Sequence, residues 1–424
     1  MSPAGPRRLG LLSATTLVVA SMLGSGVFTT SGFLLADLKS PWLVLLAWLI
    51  GGLLAACGAL CYGALARRLP GSGGEYFFLS RTLHPAAGTM AGWISIIVGF
   101  AAPLAAAALA FGQYVLDRFP GSSPQWLGSA LLAGCALLHA WRVESGSRLH
   151  NLTVLLEILL IIVFAGLALA RLPADPPPPL PESGGVAAFA VGLIWVSFSY
   201  SGWNAAVYVA GEVRDAQRTL PRALLIGTAL VSVLYLALNA AFVFAAPVAT
   251  LAGELEIGRV AARALGGDAW AEALSGLIAL VLAASVSAMT IAGPRVYARM
   301  ATDGELPRRF AARHGAPRLA IAVQCALALL LLWSASFRSL LTYIGFTLNL
   351  CAAATVVGLL RLKRREGERL AVVGWPLVPL TFLVGTLAMA LAAILRQPVE
   401  SLWGLVTLAL AWLLWLGGGA RRGG

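Results

Sequence analysis

The sequence predicts an all-α protein that crosses a membrane many times. Of its 424 residues, 59% are hydrophobic and 11% are charged, and the mean hydropathy is +0.85. Soluble domains carry about 25% charged residues, and the apolar runs here reach the ~20 residues that one transmembrane helix needs. Since no polar stretch is long enough to fold as a separate module, we expect a single membrane domain over residues 1–424.

Twelve apolar runs, separated by polar breaks, predict twelve transmembrane helices. The predicted spans are 9–36, 41–66, 86–117, 125–142, 149–171, 187–213, 221–246, 270–299, 319–335, 339–361, 376–396 and 400–418. The first run follows Arg7 and Arg8, as the apolar part of a signal peptide would. It is too long for one and has no clear cleavage site, so we interpret it as a retained helix 1.

The basic residues predict the orientation of these helices. With the N-terminus inside, the predicted inner segments hold 23 of the 30 lysines and arginines, and the outer loops hold 7. Cytoplasmic loops carry such an excess, so we expect both termini in the cytoplasm and the protein in the cytoplasmic (inner) membrane. The same distribution explains the net charge of +12 without a nucleic-acid partner.

The first predicted helix contains Gly24-Ser25-Gly26 near its centre. Each glycine inside a helix costs roughly 1 kcal/mol relative to alanine. In a membrane, a broken helix is tolerated only where its backbone lines a cavity or is buried in protein. If helix 1 unwinds at 24–26, N–H groups from Val27 onward begin a second half-helix and suit a carboxylate. The alternative is a close-packed glycine seam between two unbroken helices.

A second polar interruption, Trp-Val-Ser-Phe-Ser-Tyr-Ser-Gly-Trp-Asn at 195–204, lies in the sixth predicted helix. Interrupted helices at matching positions of two halves indicate an inverted-repeat transporter that binds its substrate near the membrane midplane. We therefore expect a first repeat at 1–171 with helices 1–5, a second repeat at 187–361 with helices 6–10, and helices 11 and 12 at 376–418.

Motifs in a fixed order extend along nearly the whole chain. They are Gly24-Ser25-Gly26-Val27-Phe28 in helix 1, the segment 62–76 that ends in Pro-Gly-Ser-Gly-Gly-Glu-Tyr, 198–204 in helix 6, Glu212 with 218–222, and 295–299 followed by 303–307. Together they resemble the amino acid–polyamine–organocation superfamily, and within it the L-type amino acid transporters and their bacterial relatives. The resemblance implies a leucine-transporter-type fold, with a 5+5 inverted repeat and two additional helices.

The resemblance also implies which atoms hold an amino acid. The backbone at the helix 1 break is expected to bind the substrate carboxylate, and carbonyl groups of both breaks are expected to bind the ammonium. The implied substrate-binding residues are Met22, Gly24, Ser25, Gly26, Val27, Phe198, Ser199, Ser201 and Asn204. Phe198 corresponds to an aromatic gate that closes over the substrate from outside, with simple packing as the alternative. Asn204 corresponds to a position that contributes to the site or to gating.

Glu157 is the clearest ionisable residue at membrane depth, in the fifth predicted helix. Such a residue is a functional candidate by default. Many proton-coupled relatives carry a lysine at or near this position, and this sequence departs from them with a carboxylate. Glu157 could couple protons or bind a cationic substrate group, and a hydrogen bond to a neighbouring helix is the alternative. Ser285 and Ser287 are expected to point to different sides of helix 8, which argues against sodium coupling.

Other polar residues give weaker indications. Glu75 and Glu212 are expected near the cytoplasmic face, where pairs with arginines such as Arg67, Arg214 or Arg295 would close an inner gate; a role in topology and folding is the alternative.

The histidines and cysteines do not indicate a catalytic or metal site. We expect the four histidines, His139 among them, to be surface or interfacial residues rather than proton relays. The five cysteines lie in apolar runs without metal-type spacing, so we expect neither a metal site nor a disulfide framework.

These observations predict a secondary active transporter of L-amino acids that works by alternating access, with no cofactor and no enzymatic activity. Neutral substrates are favoured because the expected site residues on helices 1 and 6 carry no charge. The alternatives are a cationic amino acid or polyamine carrier with Glu157 as counter-charge, an amino acid exporter and, from another class, a membrane enzyme or nutrient sensor. L-type relatives join a glycoprotein through a cysteine after helix 3; the loop 117–125 has none, so we expect no such partner.

Overall fold

The computed structural model describes residues 9–141, 147–181, 184–310 and 317–419, without the side chains of 147–153 and 418–419. Several basic residues that entered the orientation count lie outside this description: Arg7, Arg8, Arg142, Arg313, Arg421 and Arg422, and the side chain of Arg148. The described part of the chain is helical throughout, and its only extended pairing is a single parallel bridge between Leu9 and Val213.

The helices follow one another with short connections. In chain order they are α1 (Leu11–Met22), α2 (Ser25–Leu38), α3 (Pro41–Arg68), α4 (Gly74–Thr82), α5 (Pro85–Ile94), α6 (Ala102–Val115), α7 (Pro124–Trp141), α8 (Ser147–Leu169), α9 (Gly185–Tyr200), α10 (Ala216–Val243), α11 (Val248–Leu251), α12 (Ile257–Thr302), α13 (Arg318–Ser334), α14 (Phe337–Glu366), α15 (Leu377–Arg396) and α16 (Pro398–Gly419). A π-helical turn, Ser95–Ala101, joins α5 to α6, and a 3-10 helix, Ala205–Glu212, follows α9.

Local sequence explains where several of these helices begin. Ser40 caps α3 by accepting a hydrogen bond from the Leu43 N–H, and Pro41 occupies the first helical position, where its missing N–H costs nothing. Ser336 caps α14 in the same way through the Ser339 N–H. These caps satisfy backbone donors that a helix start leaves without an intrahelical acceptor.

Eight of the described helical segments are long and apolar enough to cross a membrane, and nine if the bent pair α1–α2 forms one span. α13, Arg318–Ser334, and the part of α8 with described side chains, Val154–Leu169, are apolar as well and add to this set. The protein is therefore a multi-pass helical membrane protein, as the composition predicted. The total of twelve spans and the 5+5 repeat remain predictions.

The helices pack closely because small residues lie where they cross. A Cβ atom on Gly51 of α3 would lie 2.4 Å from Val196 of α9, and one on Gly63 would lie 3.0 Å from Pro221 of α10. Glycine at helix contacts lets the two backbones approach closely. The van der Waals contacts that follow are a main source of packing energy between helices in lipid. As a result α3, α9 and α10 enclose large side chains, including Trp48 and Tyr235, that are fully buried.

Candidate functional site

Helix 1 is broken, as the glycines predicted. α1 ends at Met22, α2 begins at Ser25, and the two halves meet at an angle of 42°. The unwound residues are Leu23 and Gly24, so the break begins earlier than the predicted 24–26, and Gly26 already lies in the first turn of α2. Gly24 is fully extended, with φ −157° and ψ −167°.

The first turn of α2 offers hydrogen-bond donors near the middle of the protein. Gly24 has no side chain to cap the helix, and no described residue supplies a capping acceptor in its place. Ser25, Gly26 and Val27 are buried. Free N–H groups and the positive end of the helix dipole together make a site that suits an anion.

Helix 6 is broken too, at the predicted place, but over a longer stretch. α9 ends at Tyr200, residues 201–204 form a turn, and the chain continues as a 3-10 helix. Gly202 has φ +101°, a conformation that favours glycine over any residue with a side chain. The N–H groups that follow the turn already have acceptors: the Ala205 N–H donates to the Gly202 carbonyl, and the Val207 N–H donates to the Asn204 carbonyl.

The two breaks touch each other through backbone atoms. A Cβ atom on Gly202 would lie 2.2 Å from the Ser21 carbonyl oxygen, and a Cβ atom on Gly26 would lie 2.4 Å from Ser199 Oγ and 2.7 Å from Ser199 Cα. The Thr30 and Ser199 hydroxyls are also hydrogen-bonded at 3.0 Å. The two glycines therefore allow the broken segments of helices 1 and 6 to approach each other closely. As a result, the backbone groups of both breaks lie near one another.

Tyr235 of α10 joins the breaks and was not among the predicted site residues. Its hydroxyl lies 2.5 Å from the Met22 carbonyl oxygen and 3.2 Å from the Ser199 carbonyl oxygen, and it donates to both as a shared hydrogen bond. Its ring packs against Trp48 and Tyr200 at centroid distances of 5.4 and 5.2 Å. One hydroxyl thus satisfies carbonyl groups that the two breaks leave without helical partners.

Phe198 is buried, with 6% of its surface exposed, three residues before the turn in helix 6. Its own carbonyl accepts a hydrogen bond from the Ser201 N–H at 2.9 Å. Of the predicted ammonium ligands, the carbonyl groups of Met22 and Ser199 therefore lie together, whereas the Phe198 carbonyl is engaged in the turn. The gating role of the Phe198 ring remains a prediction.

Glu157 of α8 is 6% exposed and faces a small apolar cleft. Phe28 of α2 lines this cleft, together with Leu238 of α10 and Ile278 of α12. No side chain in the described part of the chain donates a hydrogen bond to it, so the hydrogen-bonded alternative finds no partner there. Glu157 is thus a buried acid beside the first turn of α2.

Glu75 does not bond an arginine as the sequence suggested. Its carboxylate is 6% exposed and accepts hydrogen bonds from the Tyr62 hydroxyl at 2.9 Å, from the Tyr208 hydroxyl and from the Asn204 amide. Arg67 instead donates to the Ala371 carbonyl. The prediction was wrong because charge complementarity along the sequence cannot show that two tyrosines and an amide reach Glu75 first.

Glu212 lies at the end of the 3-10 helix with an exposed side chain. Its backbone carbonyl accepts a hydrogen bond from the Leu9 N–H, and the Leu9 carbonyl accepts one from the Arg214 N–H. The start of the described chain is therefore tied to the end of the broken helix 6 by backbone atoms. An exposed ion pair contributes only about 0–1 kcal/mol, so the exposed side chain argues against a strong gating pair at Glu212, whose gating role stays a prediction.

His139 is buried, so the expectation that it is a surface residue is wrong. It is 6% exposed in α7, and its Nε2 atom is hydrogen-bonded to Ser287 Oγ of α12 at 2.8 Å. Ser287 thus faces α7.

Broken helices that meet through their backbones define a class of membrane protein, the substrate carriers with a midplane site. A sequence model of the amino acid permease family matches residues 9–417. The chain belongs to this family.

Known relatives agree with this assignment. The Asc-type amino acid transporter 1 of Homo sapiens is 28% identical over 93% of this chain and 78% of its own length. The large neutral amino acids transporter small subunit 2 of Mus musculus is 30% identical over 85% of this chain and 71% of its own. The b(0,+)-type amino acid transporter 1 of Mus musculus is 28% identical over 92% and 83%.

Proposed function

We propose that this protein is a secondary active transporter that carries L-amino acids, neutral ones above all, across the cytoplasmic membrane by alternating access. The observation that carries the proposal is the meeting of two broken helices, which places donors and acceptors of the backbone side by side. Every amino acid presents a carboxylate and an ammonium, so groups of both kinds recognise the whole substrate class.

The two ends of the amino acid bind different parts of the site. The carboxylate accepts hydrogen bonds from N–H groups at the start of α2, at Gly24, Ser25, Gly26 and Val27, where the helix dipole also favours it. The ammonium donates to the carbonyl oxygens of Met22 and Ser199, which Tyr235 occupies in this structure. Phe198, Ser201 and Asn204 complete the site next to the helix 6 break.

A neutral side chain fits this site because the proposed binding residues on the two breaks themselves carry no formal charge. One relative supports the choice by name, the large neutral amino acids transporter small subunit 2 of Mus musculus. A charged substrate side chain at the same place would need a partner to offset the cost of burying its charge.

The architecture that we propose has twelve spans, a 5+5 inverted repeat over 1–171 and 187–361, and two further helices at 376–418. Both termini face the cytoplasm. Exposed tryptophans support the proposed ends of the spans, although not their orientation: Trp42 and Trp126 lie at the proposed outer ends of their helices, and Trp141 and Trp375 at the inner ends. Tryptophan is enriched at both membrane interfaces. Phe198 gates the site from outside, and the inner gate includes Glu75 and the backbone at Glu212.

Coupling by exchange or by protons follows from Glu157. Glu157 lies in an apolar cleft that Phe28 of α2 also lines, so a proton on its carboxyl would remove a negative charge near the proposed carboxylate site. An intramembrane acid marks a proton or ion pathway more often than a structural contact. The direction of net transport, whether uptake, exchange or export, follows from the gradients.

A cationic amino acid or polyamine carrier is the second candidate. The observation that favours it is the same carboxyl of Glu157, which lies 6% exposed without a hydrogen-bond donor among the described side chains. A substrate with a second ammonium would supply the missing partner.

Counterflow in proteoliposomes tests these proposals with the purified chain alone. Vesicles are loaded with one unlabelled amino acid or polyamine, the labelled compound is added outside, and uptake is followed across pH, with and without sodium. Accumulation of neutral L-amino acids supports the proposed function, and it also shows that no glycoprotein subunit is needed. Accumulation of cationic compounds only supports the second candidate. No accumulation by folded, inserted protein refutes both, and substrate binding without counterflow indicates a sensor.

A further inference from the structure

The segment between α3 and α4 wraps around the second half of broken helix 6. Ser72 Oγ accepts a hydrogen bond from the Gly211 N–H at 2.8 Å, which ties the segment to the end of the 3-10 helix. Gly74 has φ +57°, and a Cβ atom there would lie 2.5 Å from the Tyr208 ring. This glycine both permits the turn and lets the backbone approach Tyr208. The turn places Glu75, the next residue, against the same face of helix 6.

Glu75 is surrounded by donors. The Tyr62 hydroxyl of α3 and the side-chain nitrogen of Asn204 donate to Oε1, and the Tyr208 hydroxyl donates to Oε2. An ionised carboxylate has only acceptors to offer, so three donors suit it. The Tyr62 ring is held in turn against Trp203, the neighbour of Asn204, at 4.7 Å between centroids. The carboxylate therefore has little freedom to move away from Asn204.

The charge on Glu75 decides how the Asn204 amide is oriented. An amide has a donor side and an acceptor side, and the hydrogen-bond network determines which way it points. A carboxylate next to it selects the NH₂ side, which turns the carbonyl oxygen away from Glu75. Asn204 is the last residue of the turn in helix 6, its side chain is partly exposed, and no described residue donates a hydrogen bond to its side-chain oxygen.

We propose that Glu75 is a positioning residue for substrate binding: it fixes the Asn204 amide in one orientation and leaves its carbonyl oxygen to accept a hydrogen bond from the substrate. This inference rests on the proposed function and extends it to a residue outside the transmembrane helices. The Pro-Gly-Ser-Gly-Gly-Glu-Tyr motif thereby acquires a role in recognition, beyond the closure of an inner gate.

A double-mutant cycle tests whether Glu75 acts through Asn204. The full-length chain and its Glu75→Gln, Asn204→Ala and doubly substituted variants are compared by equilibrium binding of radiolabelled neutral L-amino acids, tested one at a time. A glutamine at position 75 offers both a donor and an acceptor, so it can bond either the NH₂ group or the carbonyl oxygen of the Asn204 side chain. We expect Glu75→Gln to weaken binding about tenfold in the wild-type background, the size of a lost hydrogen bond to a charged group. In the Asn204→Ala background the same change should alter binding less than about twofold, since additivity fails for residues that act together.

The control is Glu368→Gln, which removes an exposed glutamate on the polar segment after α14 and should leave binding unchanged. Equal losses from Glu75→Gln in both backgrounds, or no loss in either, would overturn the inference and leave the proposed function intact. If the wild-type chain binds no amino acid, the proposed function fails and this inference fails with it.

A second set of variants, in which the amide and the carboxylate are exchanged between positions 75 and 204, tests the inference if Glu75→Gln alone folds poorly. Asn204→Asp alone places two carboxylates side by side and should abolish binding. Adding Glu75→Gln restores an amide–carboxylate pair with the roles exchanged and again leaves an oxygen of residue 204 facing away. We expect binding within about tenfold of wild type in this double variant, since only one charge-assisted hydrogen bond is altered. A double variant that binds no better than Asn204→Asp contradicts the inference.

Discussion

The two broken helices differ in what they offer a substrate. Helix 1 unwinds over two residues and resumes as an α-helix at Ser25, so its first N–H groups stay without partners among the described residues. Helix 6 unwinds over four residues and resumes as a 3-10 helix, and the N–H groups of Ala205 and Val207 bond the turn itself. The first break therefore supplies donors and the Met22 carbonyl, whereas the second supplies acceptors.

This difference sets the orientation of a bound amino acid. In the proposed function the carboxylate lies at the first break, because of the two described breaks only that one offers both free donors and a helix dipole. The ammonium is proposed to lie between the two breaks, where the carbonyl groups of Met22 and Ser199 are 2.5 and 3.2 Å from a single hydroxyl. Four substitutions test this division of roles, and they are given from the largest expected effect to the smallest.

Gly202→Ala should abolish transport. The residue has φ +101°, and its Cβ atom would lie 2.2 Å from the Ser21 carbonyl oxygen, which belongs to backbone that cannot move aside. Overpacking of this kind costs about 1–3 kcal/mol, and here it forces the two breaks apart. Counterflow measures the loss. The matched control is Gly134→Ala in α7, where a Cβ atom meets nothing within 4 Å; equal loss in both variants would refute contact between the breaks.

Tyr235→Phe should destabilise the empty protein more than the substrate-bound one. Without the hydroxyl, the Met22 and Ser199 carbonyl groups lose their partner, at about 1–3 kcal/mol for a buried group left unsatisfied. A substrate ammonium satisfies the same oxygens, so it should raise the melting temperature of the variant by more than that of the wild type. A smaller rise in the variant than in the wild type argues against ammonium binding at these carbonyl groups.

Glu157→Gln should remove the pH dependence of transport and leave counterflow at the permissive pH within about threefold of wild type. The reason is that glutamine keeps the size of the buried side chain but cannot exchange a proton. Counterflow and net uptake are measured over a pH series, with Glu368→Gln as the matched control. A pH profile identical to wild type in Glu157→Gln excludes this residue as the coupling group.

Gly24→Ala should have the smallest effect. Gly24 lies in the break itself, but its φ of −157° is open to any residue, and a Cβ atom would meet only the Met22 carbonyl oxygen at 3.9 Å. We expect a change within about 0.5 kcal/mol, typical of sites without a packing or backbone constraint. The KM for counterflow measures it, and a loss as large as that of Gly202→Ala would mean that the bound substrate leaves no room for a Cβ atom at this position.

The parts of the site that the sequence predicts are those with a local cause. Glycine and serine inside an apolar run have no reason to be there except to unwind or pack a helix, so the breaks at Gly24 and Gly202 are visible in the sequence alone. Glu157 is visible for the same reason, because a charge within an apolar span stands out against its neighbours.

The parts that the sequence does not predict depend on distant contacts. Tyr235 lies in an apolar span, where an aromatic residue has no special signal, and its role comes from carbonyl groups that are 213 and 36 residues away. His139 was expected at a surface because histidine near a helix end is usually solvated, yet packing against α12 buries it.

Because main-chain atoms form the proposed grip on the substrate, ordinary missense changes cannot delete it. Only proline removes an N–H group from the chain, and no coded residue removes a carbonyl. Inactivating alleles should therefore concentrate at the glycines that shape the breaks and at proline replacements in the first turn of α2. Substrate preference, in contrast, can diverge through side chains elsewhere in the pocket while the hold on the shared carboxylate and ammonium is inherited unchanged.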